Sequence, residues 1–281
     1  METKTFGHMG RMGNLLKSAE ILGVSVAILF SALTAHAGDK IIGGREVGTS
    51  DPAAATTVLV TDGSFVCTGS IIDVDLVVTA AHCVYGNKAS KLLVVFSRSM
   101  DSATAASVHH IYGFKTAPGY SSDGTGKDQH DIALIRFKGA IPSGYAMADL
   151  LPSDESLTKG ETVLLAGYGV SDDDQRNGAG TLRQVEVTVS DPNFGATEVT
   201  LDQSHGRGAC HGDSGGPAFV ESNGSLLLWG VTNRSYPDDA GDTCKIGVVY
   251  TRIGAYSSFI STSATALRKI SSSSSIAAMY F

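Results

Sequence analysis

Cysteine, tryptophan and proline are scarce in this chain of 281 residues, which has four, one and seven of them. None of the cysteines (Cys67, Cys83, Cys210, Cys244) belongs to a C-x-x-C pair, which disfavours a zinc ribbon or a thioredoxin-type redox motif. Two disulfides formed in an oxidising compartment account for them better. Long apolar runs are lacking too. The uncharged stretch from Ile21 to Ala35 spans about 15 residues, short of the ~20 that a membrane-crossing helix needs. It follows Lys4, Arg11 and Lys17 and ends in Ala35-His36-Ala37. That order of basic region, apolar region and small-x-small site predicts a secretory signal peptide over residues 1–37, hence a secreted or periplasmic protein without a permanent membrane anchor. Positive charge is in deficit as well, with 21 Lys and Arg against 28 Asp and Glu. Losing the leader removes three basic and two acidic side chains and makes the rest more acidic still, a surface that repels nucleic acid and anionic lipid.

What the chain does have is glycine, 33 residues of it, and 42% apolar residues, a composition that suits a β-rich globular protein rather than a disordered one. Short runs rich in Val, Ile, Leu and Thr recur from residue 41 onward. They are Thr56–Val60, Ser70–Val78, Lys91–Phe96, Ile132–Phe137, Thr162–Ala166, Leu182–Val189, Ala218–Glu221, Leu226–Thr232 and Gly247–Arg252, with Asp62-Gly63, Pro118-Gly119 and Asn223-Gly224 among the turns between them. This pattern predicts an all-β sandwich or barrel. Asn223-Gly224 predicts a tight hairpin. The Pro- and Ser-bearing stretch around residues 142–155 divides two β units of similar size, 41–145 and 146–265. Ser257–Lys269 reads as a terminal helix whose late Arg268 and Lys269 face its negative end. Residues 266–281 form a Ser-rich tail, read as disordered ahead of a sorting or docking signal.

The stretch Cys210–Phe219, CHGDSGGPAF, places three glycines and a proline around Asp213 and Ser214. Gly212-Asp213-Ser214-Gly215-Gly216 fits the G-x-S-x-G turn of α/β-hydrolases, but that order requires a histidine after the serine, and the last histidine here is His211. A nucleophilic Ser214 would therefore take its general base from upstream. His109 and His110 read as an exposed pair, while His130, His205 and His211 have no distinctive surroundings. His82, in VVTAAHCV, stands after an apolar strand and two alanines and beside Cys83. On these residues alone a base and a packed histidine are equally good readings. Asp131, ahead of the apolar run Ile132–Phe137, is either a turn residue or a buried carboxylate in need of a donor such as a histidine N–H.

Four motifs in order, IIGG (Ile41–Gly44), TAAHC (Thr79–Cys83), DIALI (Asp131–Ile135) and GDSGGP (Gly212–Pro217), resemble the chymotrypsin/trypsin-like serine endopeptidase family in its bacterial secreted form. They span Ile41 to about residue 260. The resemblance implies two packed six-stranded antiparallel β-barrels with a C-terminal helix. It implies a catalytic triad of His82, Asp131 and Ser214, with the Gly212 and Ser214 N–H groups as oxyanion hole. It also implies disulfides Cys67–Cys83 and Cys210–Cys244. Cleavage after Lys40 by an activating trypsin-like protease would remove the short propeptide 38–40 and free an ammonium at Ile41 to pair with Asp213. No cofactor or metal is implied, the partner is a peptide or protein substrate, and a monomer is expected.

Departures from the family pattern fall on the specificity pocket. Gly208, six residues before Ser214, takes the place of the acidic residue that selects basic substrates, and Ala209 beside it is uncharged. Val248 in GVVYT stands where glycine is usual. In LWGVTNRS, one register aligns Asn233, Arg234 and Ser235 with the usual Ser-Trp-Gly, Ser235 then facing Val248 across the pocket. A second register uses Trp229-Gly230 instead. Two other functions share these residues: a catalytically silent binding protein on the same scaffold, and an esterase.

Overall fold

The structure, a computed structural model, describes residues 41–238 and 243–270. The expected signal peptide, the propeptide with Lys40 and residues 271–281 of the expected tail lie outside the described residues, while residues 266–268, assigned to that tail, belong to the terminal helix instead. The elements run β1 (Arg45–Glu46), α1 (Pro52–Thr56), β2 (Thr57–Thr61), β3 (Cys67–Asp73), β4 (Leu76–Thr79), β5 (Leu93–Val95), β6 (Val108–Thr116), β7 (Ala133–Phe137), β8 (Asp149–Leu150), β9 (Thr162–Gly167), β10 (Arg183–Asp191), β11 (Glu198–Asp202), β12 (Pro217–Ser222), β13 (Ser225–Tyr236), β14 (Gly247–Arg252) and α2 (Ser257–Arg268).

Two antiparallel six-stranded barrels result. The first is β2-β3-β4-β7-β6-β5, closed by β5 on β2; the second is β9-β10-β11-β14-β13-β12, closed by β12 on β9. Closure leaves neither barrel an open edge within its ring. The period-two pattern drives it. In β10, Val185, Val187 and Val189 are buried while Glu186 and Thr188 are exposed, and the three valines meet Val199, Leu201, Trp229 and Tyr250 in the second core. The first core gathers Val58, Val60, Ile71, Val77, Val94, Ile135 and Phe137. Each such side chain contributes about 1.5–3 kcal/mol by leaving water.

The Asn223-Gly224 hairpin forms as expected, with φ of 51° and 78° at the two turn residues and Ser222 paired to Ser225, the both-positive geometry of a type I′ turn. The run Ser70–Val78, read as one strand, is two. Val74 and Asp75 form a turn between β3 and β4, and the Asp73 carboxylate accepts the Val74 N–H at 2.7 Å. Strands β6 and β11 were not foreseen because their sequences, VHHIYGFKT and EVTLD, interleave charged residues and histidines with the apolar ones. His109 is not exposed: its ring packs against Phe96 and Phe137, and its Nδ1 meets the Lys138 carbonyl at 2.6 Å.

Helix α2 follows the second barrel in sequence but packs on the first, where Leu267 joins Leu76 and Leu134. Its negative end is met by Arg136 of β7, whose Nη1 donates to the Leu267 and Ile270 carbonyls at 3.1 Å each. Arg268, expected to serve that end, turns instead to Asp75 and Asp73, at 2.8 Å each.

Candidate active site

His82 sits on the turn after β4. Ala80 and Ala81 are fully buried beneath it, and the Ala81 carbonyl accepts the N–H groups of Val84 and Tyr85 at 3.0 and 2.8 Å. A disulfide joins Cys83 to Cys67 on β3 and fixes the turn to the barrel. Asp131, 2% exposed, precedes β7, the neighbour of β4 in the sheet. Its carboxylate grips His82 twice, with Oδ2 2.6 Å from the ring Nδ1 and Oδ1 accepting the His82 backbone N–H at 2.9 Å. This grip fixes the ring's position and leaves Nε2 free of Asp131. Partial desolvation of the ring, whose side chain remains 36% exposed, disfavours the imidazolium, but the Asp131 charge and hydrogen bond outweigh it and hold the His82 pKa above the ordinary histidine value.

Ser214 lies on the loop from Cys210 to Gly216, which both barrels hold. The Ser214 carbonyl accepts the Thr68 N–H of β3 at 2.8 Å, and Gly215 donates to Thr232 of β13 at 2.9 Å. The same carbonyl oxygen is 3.6 Å from the sulfur of Cys83, which brings the loop against the residue that follows His82. Gly212 and Gly215 have φ of 95° and 81°, a region L side chains rarely adopt. A Cβ on Gly212 would be 2.9 Å from Gly169 Cα, and one on Gly215 would be 2.1 Å from Thr79 Oγ1 and 2.4 Å from the Thr68 carbonyl. Among the described residues, neither the Gly212 nor the Ser214 N–H donates to any group of the protein. Two such donors on one tight turn suit a developing oxyanion.

Asp213, 1% exposed, accepts the Gly169 and Cys210 N–H groups at 2.8 Å each. Burial pushes its carboxyl up to about 7, against those two hydrogen bonds and the charge of Arg183. Ile41 is fully buried in the second core, and Ile42 is bridged to Gly208, whose N–H donates to the Ile42 carbonyl at 2.9 Å.

One cavity is lined by Ser214 together with Ala209, Asn233, Arg234, Ser235 and Val248. Trp229 packs in the second core instead. Gly208 does not line the cavity. It lies behind Ala209, where a Cβ would meet the side-chain oxygen of buried Gln203 at 2.1 Å. Ser235 and Val248 are cross-strand partners on β13 and β14, neighbours rather than opposite walls. The Cys210–Cys244 disulfide flanks the cavity. Sequence reasoning missed Glu198, Gln129 and Asp238 around Arg234. For Glu198 the sole signal was a charged residue opening a strand-forming run. Among the described residues two groupings bring histidine and cysteine together, Asp173-Cys210-His211-Cys244 and Cys67-His82-Cys83, but all four cysteines are in disulfides and offer no thiolate to a metal.

The family model described as Trypsin matches residues 41–260. Brachyurin of Leptuca pugilator is 31% identical over 235 residues, covering 79% of this chain and 97% of that protein. A trypsin-like protease of Streptomyces glaucescens is 30% identical over 272 residues, 89% of this chain and 92% of its own. Trypsin Blo t 3 of Blomia tropicalis is 30% identical over 221 residues, 70% and 76% of the two chains. With a family match across the whole of both barrels, the chain belongs to the trypsin family and is a serine-type endopeptidase.

Proposed function

We propose that the protein is a secreted or periplasmic endopeptidase in which Ser214 is the nucleophile, His82 the general base and acid, and Asp131 the group that orients His82. The double contact of Asp131 with the ring and backbone of His82 carries this reading. In acylation the Ser214 hydroxyl attacks the scissile carbonyl and passes its proton to His82 Nε2. The Gly212 and Ser214 N–H groups stabilise the oxyanion, and the imidazolium protonates the leaving amine. Water then repeats the sequence on the acyl-enzyme. Losing one oxyanion donor would cost about 3 kcal/mol of transition-state stabilisation.

The precursor is cut after Lys40 by a trypsin-like protease, and the new Ile41 ammonium pairs with Asp213. The burial of Ile41 and Asp213, and the bridge from Ile42 to Gly208 two residues before the Ser214 loop, support this step. The substrate pocket, walled by Ala209 and Val248, favours small apolar side chains on the acyl side and rejects Lys and Arg, which would lose water without meeting an unpaired anion. Asp238, at the cavity rim, is already paired with Arg234.

A fluorophosphonate probe tests the reading. It should label the cut protein and not the Ser214→Ala variant, and an unlabelled wild type would favour the silent scaffold. Turnover of simple esters without turnover of peptides would favour an esterase.

A further inference from the structure

Glu198 opens β11 and is fully buried, yet no step of peptide hydrolysis uses it. A carboxylate in such a place persists only when its lone pairs and its charge are met. Its Oε1 accepts from Gln129 N at 3.1 Å, Asn233 Nδ2 at 3.1 Å and Arg234 Nη1 at 2.8 Å, and its Oε2 from Arg234 Nη2 at 3.1 Å. Arg234 also donates from Nη2 to the Gly126 carbonyl at 2.7 Å and from Nε to Asp238 at 3.2 Å.

These contacts lead to Asp131 by two routes. In the first, Gln129 and Gly126 lie on the loop between β6 and β7 that delivers Asp131, so Glu198 and its countercharge hold a loop of the first barrel from the second. The Asp128 carboxylate adds to this grip by accepting from Thr197 N at 2.7 Å, Thr197 Oγ1 at 2.8 Å and Ala196 N at 3.1 Å. Asp128 and His130 both have φ of 56°, a backbone state that non-glycine residues keep only under restraint. In the second route Asn233 Nδ2 also donates to Thr251 Oγ1 at 3.2 Å, and that hydroxyl donates to the Asp131 carbonyl at 3.2 Å.

We propose that Glu198 is a positioning residue for the Asp131–His82 pair, anchoring Asp131 from the second barrel through Gln129 and through Asn233 and Thr251, with Arg234 as its countercharge. This rests on the reading of His82, Asp131 and Ser214 as the reacting groups. Glu198 is faced by Arg234 from β13, with Asp238 behind it, and by Tyr256 from the turn before α2. Asp131 is faced by His82, Tyr120 and Tyr256.

The experiment measures kcat, KM and the acid limb of the kcat pH profile on a neutral peptide for cut wild type, Glu198→Gln and Thr251→Val, each rate divided by the sites titrated with a fluorophosphonate. Glu198→Gln should lower kcat about tenfold to a hundredfold, the scale of a small misplacement of a reacting group, and leave KM nearly unchanged. Its acid limb should move to lower pH, because a displaced Asp131 stabilises the imidazolium less. Thr251→Val, which severs the second route and keeps the ion pair, should show a smaller change in the same direction and decides the matter should Glu198→Gln yield no folded enzyme. Wild-type kcat with an unmoved acid limb, or a lower kcat with an unmoved acid limb, overturns the proposal. A wild type that fails to label overturns the Ser214 assignment and this proposal with it.

Discussion

Cutting after Lys40 should change how stability depends on pH, and the size of the change follows from the surroundings of Asp213. In the uncut chain its carboxyl receives two backbone N–H groups, and burial holds its pKa at about 7 against an ordinary 3.8. The folded state therefore binds this proton more tightly than the unfolded state. Its contribution to stability is complete below pH 3.8 and is lost as pH rises through 7. Three pH units correspond to roughly 4 kcal/mol. On the proposed activation, the Ile41 ammonium of the cut chain would offset that loss by pairing with the ionised carboxylate. The ammonium's own pKa is then raised above its ordinary value of about 8, so its contribution is full below pH 8 and fades as pH climbs through the raised value. The gap between the two forms should open from about pH 4 and be widest between pH 7 and 8. Thermal melts of the Ser214→Ala protein, cut and as an uncut Lys40→Gln chain, measure it without autolysis. For a domain of this size, ~4 kcal/mol corresponds to a Tm difference of about 8–16 °C. Parallel Tm curves from pH 5 to 8 would refute the pairing of Asp213 with a new terminus.

Ser214→Ala and His82→Ala should each abolish peptide cleavage with the fold intact, and the double variant should be no worse than either, because the two act as one proton-transfer unit; near-normal turnover by either single variant removes it from that unit. Gly215→Ala forces a Cβ to 2.4 Å from the Thr68 carbonyl at a φ of 81° and should lose more than ~1 kcal/mol in urea denaturation, together with most activity. Val248→Gly should raise kcat/KM on a peptide with Phe on the acyl side relative to Ala, Val or Leu, since overpacking a large ring against the β-branched wall costs about 1–3 kcal/mol. A wild-type optimum at Arg or Phe would refute the pocket reading.

How far the sequence alone could reach depended on whether the information was local. Strands written as short unbroken apolar runs between turns, such as Thr162–Gly167 and Gly247–Arg252, were legible because a strand buried on both faces reads as a continuous apolar stretch. The Asn223-Gly224 turn was legible because two adjacent residues settle its geometry. Strand β6 hid behind His109 and His110, although His109 is an inward-packed ring between two phenylalanines, and histidine carries no pattern that separates that role from a solvated one. Strand β11 hid for the opposite reason. Its Glu198 looks like a surface residue and is fully buried, since the cation that permits this lies 36 residues away on another strand.

The proposed reacting groups pose the same problem across greater distances. The glycines around Ser214 are local, and their cause is local too: left-handed backbone and no space for a Cβ. The pairing of His82 with Asp131 joins residues 49 apart, so base and packed histidine stayed equal readings on their own sequence until the family motifs were taken together. What the motifs did not carry is how Asp131 is held. Family-like segments supply its carboxylate, yet Gln129, Asn233, Thr251 and Glu198 restrain its backbone, and Asn233, Arg234 and Ser235, which one register aligns with the family's usual Ser-Trp-Gly, line the cavity. A charged Arg234 at that position requires a buried anion, and the anion that answers it is also hydrogen-bonded to the Asp131 loop. Departures at the cavity wall and support of the Asp131 carboxylate, the proposed partner of His82, are therefore one arrangement: an Arg234 variant chosen to change specificity should also change kcat, in proportion to how far Glu198 is left without its countercharge.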